Sequence, residues 1–328
     1  MDTIDLVRDL GKKAKQASSV LAIASCETKN KALERAREVI NTNRSAIMDA
    51  NREDLRKGSK KGLSSAMLDR LELTSDRLDD LENSISNIAQ QHDPVGKVLA
   101  TWDRPSGLKI KRVTTPLGVI GVIFESRPNV TIDASALCLK AGNASILRGG
   151  SDSFHTSKEL HRCFIEGITQ EGLPSATSQF VPTTDRSAVG AMLGLSEFID
   201  VIVPRGGRNL VERVQQEARV PVFAHLEGIC HVYVDRDADL NKARRVVVNA
   251  KTRRTGICGA AECLLIDENV AFENGELLVR DLLEKGVEVR TDRKYSSVDG
   301  TVQASDMDYG KEYLDTIIAV KTVKGVNG

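Results

Sequence analysis

A regular alternation of short apolar runs with longer amphipathic stretches, beginning near residue 117, constrains the fold of this chain more than any other feature. Residues 117–124 form a continuous apolar run, which is typical of a strand buried on both faces. Further strand candidates lie at 144–147, 178–181, 199–203 and 231–234. Helix candidates lie between them at 132–141, 153–171, 186–195 and 209–217. Because strands and helices alternate, the sequence predicts a parallel, doubly wound sheet.

The first 90 residues read as a group of helices. Apolar residues recur there at helical spacing, charged residues fill the other faces, and Thr74 is a candidate helix N-cap. Residues 107–115 alternate apolar and basic side chains, as expected of a half-exposed strand. A second α/β stretch begins near residue 235. Its strand candidates are 263–266, 287–290 and 316–320, and its helix candidates are 240–251 and 275–285.

Composition and charge exclude several classes of function. Lys plus Arg and Asp plus Glu each total 46, so the chain has no net charge to attract nucleic acid or an acidic membrane. No apolar run approaches the roughly 18 residues of a membrane span. Residues 1–11 lack the order of a secretory signal, and the histidines lack metal-ligand spacing. We expect a cytoplasmic protein without a metal, nucleic-acid or membrane partner.

The six cysteines are scattered and form no C-x-x-C pair, which favours free thiols in a reducing compartment. Cys258 stands out because three cations precede it within seven residues: Lys251, Arg253 and Arg254. Nearby positive charge lowers the pKa of a thiol and raises its thiolate fraction. On this chemistry alone Cys258 is either a nucleophile or a small buried apolar residue. Cys263 lies in an apolar strand and favours the second interpretation.

The segment around Cys258, residues 249–262, is similar to the catalytic segment of the γ-glutamyl phosphate reductases, a branch of the aldehyde dehydrogenase superfamily. Other segments resemble the same family in the same order: Arg-Pro-Asn-Val-Thr at 127–131, residues 140–151, Pro-Arg-Gly-Gly at 204–207, residues 225–235 and Glu-Tyr-Leu-Asp at 312–315. The resemblance implies an aldehyde dehydrogenase-like α/β fold. Residues 1–228 would form the N-terminal helices and a Rossmann-like NADP-binding domain, with an oligomerisation strand near 107–115. Residues 229–328 would form the catalytic domain.

The resemblance also implies a reaction and its catalytic residues. Cys258 would attack the acyl carbon of γ-glutamyl 5-phosphate and release phosphate, leaving a thioester. Hydride from NADPH would reduce the thioester to glutamate 5-semialdehyde, a step of proline biosynthesis. The side-chain amide of Asn129 and the backbone N–H of Cys258 would stabilise the oxyanion. Without the resemblance, the sequence around Asn129 predicts only a turn residue after a proline.

Five residues are implied in NADPH binding. Arg148 falls where the family places a cation near the adenosine ribose, and Ser151 falls where NAD-preferring relatives often carry Glu. A carboxylate there would repel a 2′-phosphate, whereas Ser can donate a hydrogen bond. Gly206 and Gly207 resemble the turn that directs a helix N-terminus toward the pyrophosphate. An ordinary βα turn would explain the same two glycines. Glu312 corresponds to the carboxylate that binds the nicotinamide ribose.

Departures from the family pattern leave alternatives open. His225 falls near the position of the water-activating Glu of general aldehyde dehydrogenases, and Glu227 takes that position if the register shifts. The three cations near Cys258 either receive the departing phosphate or interact with a helix C-terminus. Gly259 follows the cysteine where relatives usually carry Asn. Because the chain is shorter than family members, we expect an incomplete catalytic domain and no partner for the strand at 107–115.

The same resemblance suggests partners and competing functions. Family members suggest a homo-oligomer, and a separate glutamate 5-kinase would supply the labile acyl phosphate. One alternative is another aldehyde dehydrogenase-type or acylating enzyme, against which segments 127–131 and 227–234 argue. A second alternative is a catalytically inactive module that assembles with a full-length sibling, and the end at residue 328 is its only support.

Overall fold

The computed structural model describes residues 2–225 and 227–327, apart from the side chain of Ala66. These residues form two compact units, which divide after Ala224. Sequence analysis places the boundary after residue 228 instead. The segment that follows Ala224 belongs with the second unit because its backbone bonds there, as the N–H of Gly228 donates to Glu312 Oε1 at 3.3 Å. Among the described residues, no helix has both the length and the apolar content that a membrane span requires.

The first unit begins with five helices, which confirms the interpretation of the first 90 residues. They are α1 (Thr3–Leu21), α2 (Cys26–Thr42), α3 (Arg44–Lys60), α4 (Ser65–Leu71) and α5 (Ser75–Gln90). The side chain of Thr74 accepts a hydrogen bond from the N–H of Arg77 at 3.2 Å, so it caps α5 as predicted. The apolar faces of these helices pack into the same core as the sheet that follows.

An antiparallel ribbon follows the helices. It consists of β1 (Val98–Asp103) and β2 (Lys109–Val113), so the strand predicted near 107–115 is present. The expectation that this strand lacks a partner is wrong, because β1 pairs with it. The turn between the strands closes through a hydrogen bond from the N–H of Gly107, at φ 84°, to the carbonyl of Arg104. β1 escaped prediction because almost every residue in it is exposed, so no apolar alternation marks it.

The sheet of the first unit contains four parallel strands in the order β5-β4-β3-β6. Its elements are β3 (Val119–Phe124), α6 (Val130–Lys140), β4 (Ala144–Arg148), α7 (Phe154–Gln170), β5 (Ser178–Phe180), α8 (Ser187–Leu193), β6 (Val201–Arg205) and α9 (Arg208–Glu217). The chain runs outward from β3 to β5 and then returns to the other side of β3. The strand order therefore reverses between β3 and β6, and the carboxyl ends of these strands form the topological switch point where ligands bind in such sheets.

The second unit is built around a five-stranded parallel sheet in the order β10-β9-β11-β8-β7. Its elements are β7 (Cys230–Val234), α10 (Leu240–Thr252), β8 (Ala261–Asp267), α11 (Phe272–Glu284), β9 (Glu288–Thr291), β10 (Val302–Gln303) and β11 (Ile317–Val323). Both sheets consist of βα units, which confirms the predicted fold class. The short strand β10 was not predicted.

The helices α2 and α7 approach so closely that only glycine fits between them at one point. A Cβ atom at Gly167 would lie 2.3 Å from Cα and 2.6 Å from the backbone nitrogen of Ala36. Both atoms belong to the α2 backbone, so no side-chain rotation can make room. This contact holds the helical layer against the helix that covers the sheet.

We expect Gly167→Ala to destabilise the first unit. The added methyl group forces the two helices apart, and such overpacking typically lowers the free energy of unfolding by about 1–3 kcal/mol. Urea denaturation followed by circular dichroism measures this change. Gly190→Ala in α8 is the matched control, because the nearest atom to its added Cβ is Arg213 Nη2 at 3.9 Å. Equal losses in the two variants would contradict the close-approach argument.

Candidate active site

The switch point of the first unit carries an anion-binding turn. Gly206 and Gly207 lie between β6 and α9, and Gly207 is the N-cap of α9. The N–H of Gly207 donates to Oε2 of Glu125, the residue that follows β3, at 2.9 Å. A Cβ atom at Gly206 would lie 2.6 Å from the same oxygen and 2.7 Å from Leu210 Cδ2. The positive end of α9 therefore already receives a carboxylate, and the absence of a side chain at Gly206 leaves room for it.

Arg148, the last residue of β4, is buried and largely occupied by the backbone. Its Nη1 donates to the carbonyl of Gly149 at 2.9 Å, and its Nη2 donates to the carbonyls of Thr184 and Asp185 at 3.0 and 3.3 Å. Burial and the nearby Arg186 lower the pKa of its guanidinium. Among the described residues, its Nε has no hydrogen-bond partner. Arg148 thus fixes the loop before α8 and keeps one buried donor for another group.

Ser151 begins the short 3₁₀ turn after β4 and is exposed. Its hydroxyl donates to Asp152 Oδ1 at 3.3 Å, and that carboxylate also lies 3.8 Å from Lys61 Nζ. The turn is tightly packed against the loop after β3, because a Cβ atom at Gly150 would lie 3.3 Å from the backbone nitrogen of Ser126. The carboxyl ends of β3 and β4 therefore share one surface.

Asn129 directly precedes α6, where its side-chain amide is held in place. Nδ2 of Asn129 donates to Asp133 Oδ2 at 3.0 Å, and Ser84 Oγ donates to the other carboxylate oxygen at 3.4 Å. Burial raises the pKa of Asp133, although both hydrogen bonds act in the opposite direction. An amide nitrogen carries two N–H donors, so one remains for a ligand.

In the second unit, Cys258 lies on an exposed turn between α10 and β8. Its carbonyl accepts a hydrogen bond from the thiol of Cys230 at 3.2 Å. A Cβ atom at Gly259 would meet no atom within 4 Å, so the backbone after the cysteine is open on that side. Exposure rules out the interpretation of Cys258 as a buried apolar residue, and Cys263, which is 1% exposed, fits that interpretation instead.

Residues of two loops surround the carbonyl of Cys258. A Cβ atom at Gly228 would lie 3.1 Å from that oxygen and 3.4 Å from Nε2 of His225. Gly228 also donates its N–H to the carboxylate of Glu312. The segment 225–228, of which Leu226 lies outside the described residues, therefore brings the predicted ribose carboxylate and the imidazole of His225 to the cysteine turn.

The cations near Cys258 have different environments. The ammonium of Lys251 is completely buried and lies 2.8 Å from Glu262 Oε2, so it is not available to a departing phosphate. Arg253 and Arg254 are exposed, and in the described part of the chain neither forms an ion pair. Of the three cations, only these two arginines remain available to a departing phosphate, whereas Lys251 lies in the last turn of α10, as the second alternative expects. No cluster of three potential metal ligands occurs among the described side chains.

Comparison with known proteins identifies the class. The sequence profile of the aldehyde dehydrogenase family matches residues 3–317. The chain therefore belongs to the aldehyde dehydrogenase family, whose enzymes use nicotinamide cofactors.

Individual relatives narrow the assignment. A curated protein of Mesorhizobium japonicum named gamma-glutamyl phosphate reductase is 53% identical over 329 residues, which cover 100% of this chain and 77% of that protein. The gamma-glutamyl phosphate reductase structure of Thermotoga maritima is 40% identical, with a TM-score of 0.91 over 98% of this chain and 78% of that one. The Saccharomyces cerevisiae enzyme of the same name is 33% identical, with a TM-score of 0.63 over 96% and 80% of the two chains. The chain thus stands among the γ-glutamyl phosphate reductases of the family.

Sequence reasoning missed several residues that shape the site. Glu125 could have been noticed as a carboxylate at the carboxyl end of a buried apolar strand. Glu262 is likewise a carboxylate that directly precedes the apolar run 263–266 of β8, where a charged side chain is expected to have a partner if it is buried. Cys230 carried no signal, because a thiol that donates to a distant carbonyl leaves no pattern in the sequence.

We expect five of the six cysteines to react with iodoacetamide in two groups. Cys258 and Cys26 are exposed and should be alkylated in the native protein. Burial raises the pKa of Cys138 to about 12 and the pKa values of Cys163 and Cys263 to about 11, so these thiols should react only after denaturation. Peptide mass spectrometry after a short reaction at neutral pH distinguishes the groups. Alkylation of Cys263 in the native protein would contradict the described packing.

Proposed function

We propose that this chain reduces γ-glutamyl 5-phosphate to glutamate 5-semialdehyde with NADPH and releases phosphate, in proline biosynthesis. The identity of 53% over the whole chain to a protein named for this activity supports the proposal most strongly. The exposed thiol of Cys258, on the turn between α10 and β8, fits the first chemical step.

Cys258 forms the covalent intermediate. Its thiolate attacks the acyl carbon, the bond from that carbon to the phosphate oxygen breaks, and phosphate leaves with the electron pair. A thioester remains on Cys258. NADPH, when bound, supplies the hydride that this thioester requires. The bond between carbon and sulfur then breaks, which releases the aldehyde and returns the thiolate.

Two donors stabilise the oxyanion in both steps. We assign them as the side-chain amide of Asn129 and the backbone N–H of Cys258, on the resemblance of segments 127–131 and 249–262 to the family. Asp133 accepts one of the two amide protons of Asn129, so the amide presents nitrogen and not oxygen, with one N–H left for the substrate. One such donor typically lowers the barrier by about 3–4 kcal/mol.

The first unit fits a dinucleotide at its switch point. The turn of Gly206 and Gly207 receives a carboxylate from Glu125, so it suits the anionic pyrophosphate. The unpartnered Nε of Arg148 suits an acceptor on the adenosine ribose. Ser151 is exposed beside it and carries no charge to repel a 2′-phosphate. In the second unit, Glu312 is the carboxylate that we assign to the nicotinamide ribose.

A reductase needs no base to activate water, because hydrolysis of the thioester would waste the activated substrate. We therefore assign no general-base role to His225 or Glu227. His225 lies beside Gly228, where an imidazole can shape the pocket around the thioester. Arg253 and Arg254 are exposed on the same connection as Cys258, and we propose them as the cations that meet the phosphate.

The reaction also suggests a compartment and partners. All six cysteines are free thiols, which supports a reducing cytoplasm. The acyl phosphate is labile, so we propose a separate glutamate 5-kinase as its source. The ribbon of β1 and β2 exposes several large apolar side chains, which supports assembly into a homo-oligomer; they are Val98, Leu99, Trp102, Leu108, Ile110 and Val113.

We expect Cys258→Ala to abolish the reaction. Without the sulfur no thioester forms, and the rate of NADPH formation from glutamate 5-semialdehyde, phosphate and NADP+ should fall by at least about 10³-fold, as on loss of other catalytic nucleophiles. Incubation with acyl phosphate in the absence of reductant should add a glutamyl group to the peptide that contains Cys258.

Cys26→Ala is the matched control for this experiment. Cys26 is the other exposed thiol and lies in α2 of the first unit, so its loss should leave the rate and the adduct unchanged. Retention of full activity by Cys258→Ala, or a glutamyl adduct on another peptide, would show that the nucleophile is wrongly assigned. Reactivity toward simple acyl-CoA substrates instead would favour an acylating aldehyde dehydrogenase.

We expect Ser151→Glu to shift cofactor preference toward NADH. A carboxylate at this position would repel a 2′-phosphate and accept hydrogen bonds from a free ribose hydroxyl. The ratio of kcat/KM for NADPH to that for NADH should fall at least about tenfold, which corresponds to one charged hydrogen bond. Ser151→Ala separates charge from size, and it should change the ratio less. An unchanged ratio in Ser151→Glu would place the 2′-phosphate elsewhere.

A further inference from the structure

A buried ion pair in the second unit has no role in the chemistry described so far. Lys251 and Glu262 are 0% and 1% exposed, and Nζ of Lys251 lies 2.8 Å from Glu262 Oε2. A pair of this kind stabilises a fold little in comparison with well-packed apolar residues of the same volume. Its position, directly on either side of the turn that carries Cys258, therefore calls for an explanation beyond stability.

The second carboxylate oxygen of Glu262 reaches a strained residue. Glu262 Oε1 accepts a hydrogen bond from the backbone N–H of Leu314 at 3.1 Å. Leu314 has φ 53°, in the left-handed region that residues other than glycine and asparagine rarely adopt. Such a conformation persists only where its surroundings impose it. The ammonium of Lys251 binds Oε2 of Glu262, so Oε1 of Glu262 remains to accept the N–H of Leu314.

The strained residue belongs to a short loop that contains Glu312. This loop joins a 3₁₀ helix at Asp306–Gly310 to β11, and each of three successive residues in it is anchored. Glu312 accepts the N–H of Gly228, and the hydroxyl of Tyr313 donates to Asp308 Oδ1 at 2.7 Å. Leu314 is held by Glu262. The backbone conformation of Leu314 thereby determines the path of the loop, and with it the position of the Glu312 carboxylate.

The same loop also adjoins the cysteine turn. A Cβ atom at Gly256 would lie 3.9 Å from the carbonyl oxygen of Leu314. The backbone of Leu314 thus lies between the buried pair and the segment that carries Cys258. A single residue connects the ion pair, the cofactor loop and the nucleophile turn.

We propose that Lys251 and Glu262 are positioning residues for the cofactor loop. Glu262 holds Leu314 in the left-handed conformation, and Lys251 orients and neutralises Glu262, so that the carboxylate of Glu312 stays aimed at the nicotinamide ribose. This inference rests on the assignment of Glu312 under the proposed function. It adds that the affinity for the cofactor depends on an acceptor at residue 262 and on the backbone conformation of residue 314.

Two double variants test the acceptor. Lys251→Met with Glu262→Gln removes both charges but keeps an oxygen that can accept the N–H of Leu314. Lys251→Met with Glu262→Met removes the charges and the acceptor. Isothermal titration calorimetry with NADP+ should show a Kd raised about fivefold in the second variant only, as expected for the loss of one hydrogen bond between neutral groups. The KM for NADPH should rise in parallel, whereas the KM for the acyl phosphate stays unchanged.

Substitutions at residue 314 test the conformation independently and leave the ion pair intact. Leu314→Val places a β-branched side chain where φ is positive, which is strongly disfavoured, so it should weaken NADP+ binding about as much. Leu314→Asn tolerates this conformation and should leave binding intact. Combined with the double methionine variant, Leu314→Asn should restore most of the lost affinity. The valine variant keeps the inference testable if the double methionine variant does not fold.

Controls separate positioning from stability and from an error in the proposed function. The pair of Arg244 and Asp281, 2.6 Å apart, joins α10 to α11 away from the loop, so Arg244→Met with Asp281→Leu should not change the Kd for NADP+. If affinity follows Tm across all variants, or if the double methionine and valine variants bind NADP+ normally, the positioning role is wrong. If Glu312→Gln also binds NADP+ normally, the assignment of Glu312 itself has failed.

Discussion

The parallel pairing of β3 with both β4 and β6 is the constraint on which the first unit depends. The register of the three strands is defined: Ile123 of β3 lies opposite Arg148 of β4 on one side and opposite Pro204 of β6 on the other. Because all three strands end at the same edge, the residues that follow them must share that edge. The carboxylate of Glu125 consequently reaches the N–H of Gly207, although 82 residues separate them in the chain. The edge that we propose for nucleotide binding therefore results from strand direction before any individual side chain is considered.

In the second unit, Cys258, which we propose as the nucleophile, is exposed on a turn that contains Gly256 and Gly259. Gly259 has open space beside it, so the backbone at Cys258 is not held by packing there. Hydrogen bonds replace packing: the thiol of Cys230 holds the carbonyl of Cys258, and Glu262 anchors the neighbouring loop. Exposure and order are therefore compatible, because Glu262 is buried and Cys230 is half-buried, whereas Cys258 is exposed.

The sequence predicted the regular elements well and the solvent-exposed ones poorly. β3 and β4 are buried on both faces, and their mainly apolar sequences placed them within a few residues of their observed bounds. β1 is exposed along nearly its whole length, so burial imposed no pattern that could be read. The partners of charged side chains are equally hard to predict from the sequence, as Lys251 shows. A cation near a cysteine suggested phosphate binding, but only the fold reveals that a carboxylate eleven residues later covers it.

The sequence by itself determined the alternation of strands and helices, the helical N-terminus, the cysteine on a glycine-containing segment and the family to which these motifs belong. These features are local, because periodicity, capping and motif order are written in neighbouring residues. The tertiary structure alone decided which polar groups meet. The guanidinium of Arg148 donates mainly to backbone carbonyls, and Asp133 orients the amide of Asn129. Glu262 accepts the N–H of Leu314, which has a strained conformation. Such partners depend on distances across the sheets, and no local pattern in the chain encodes them.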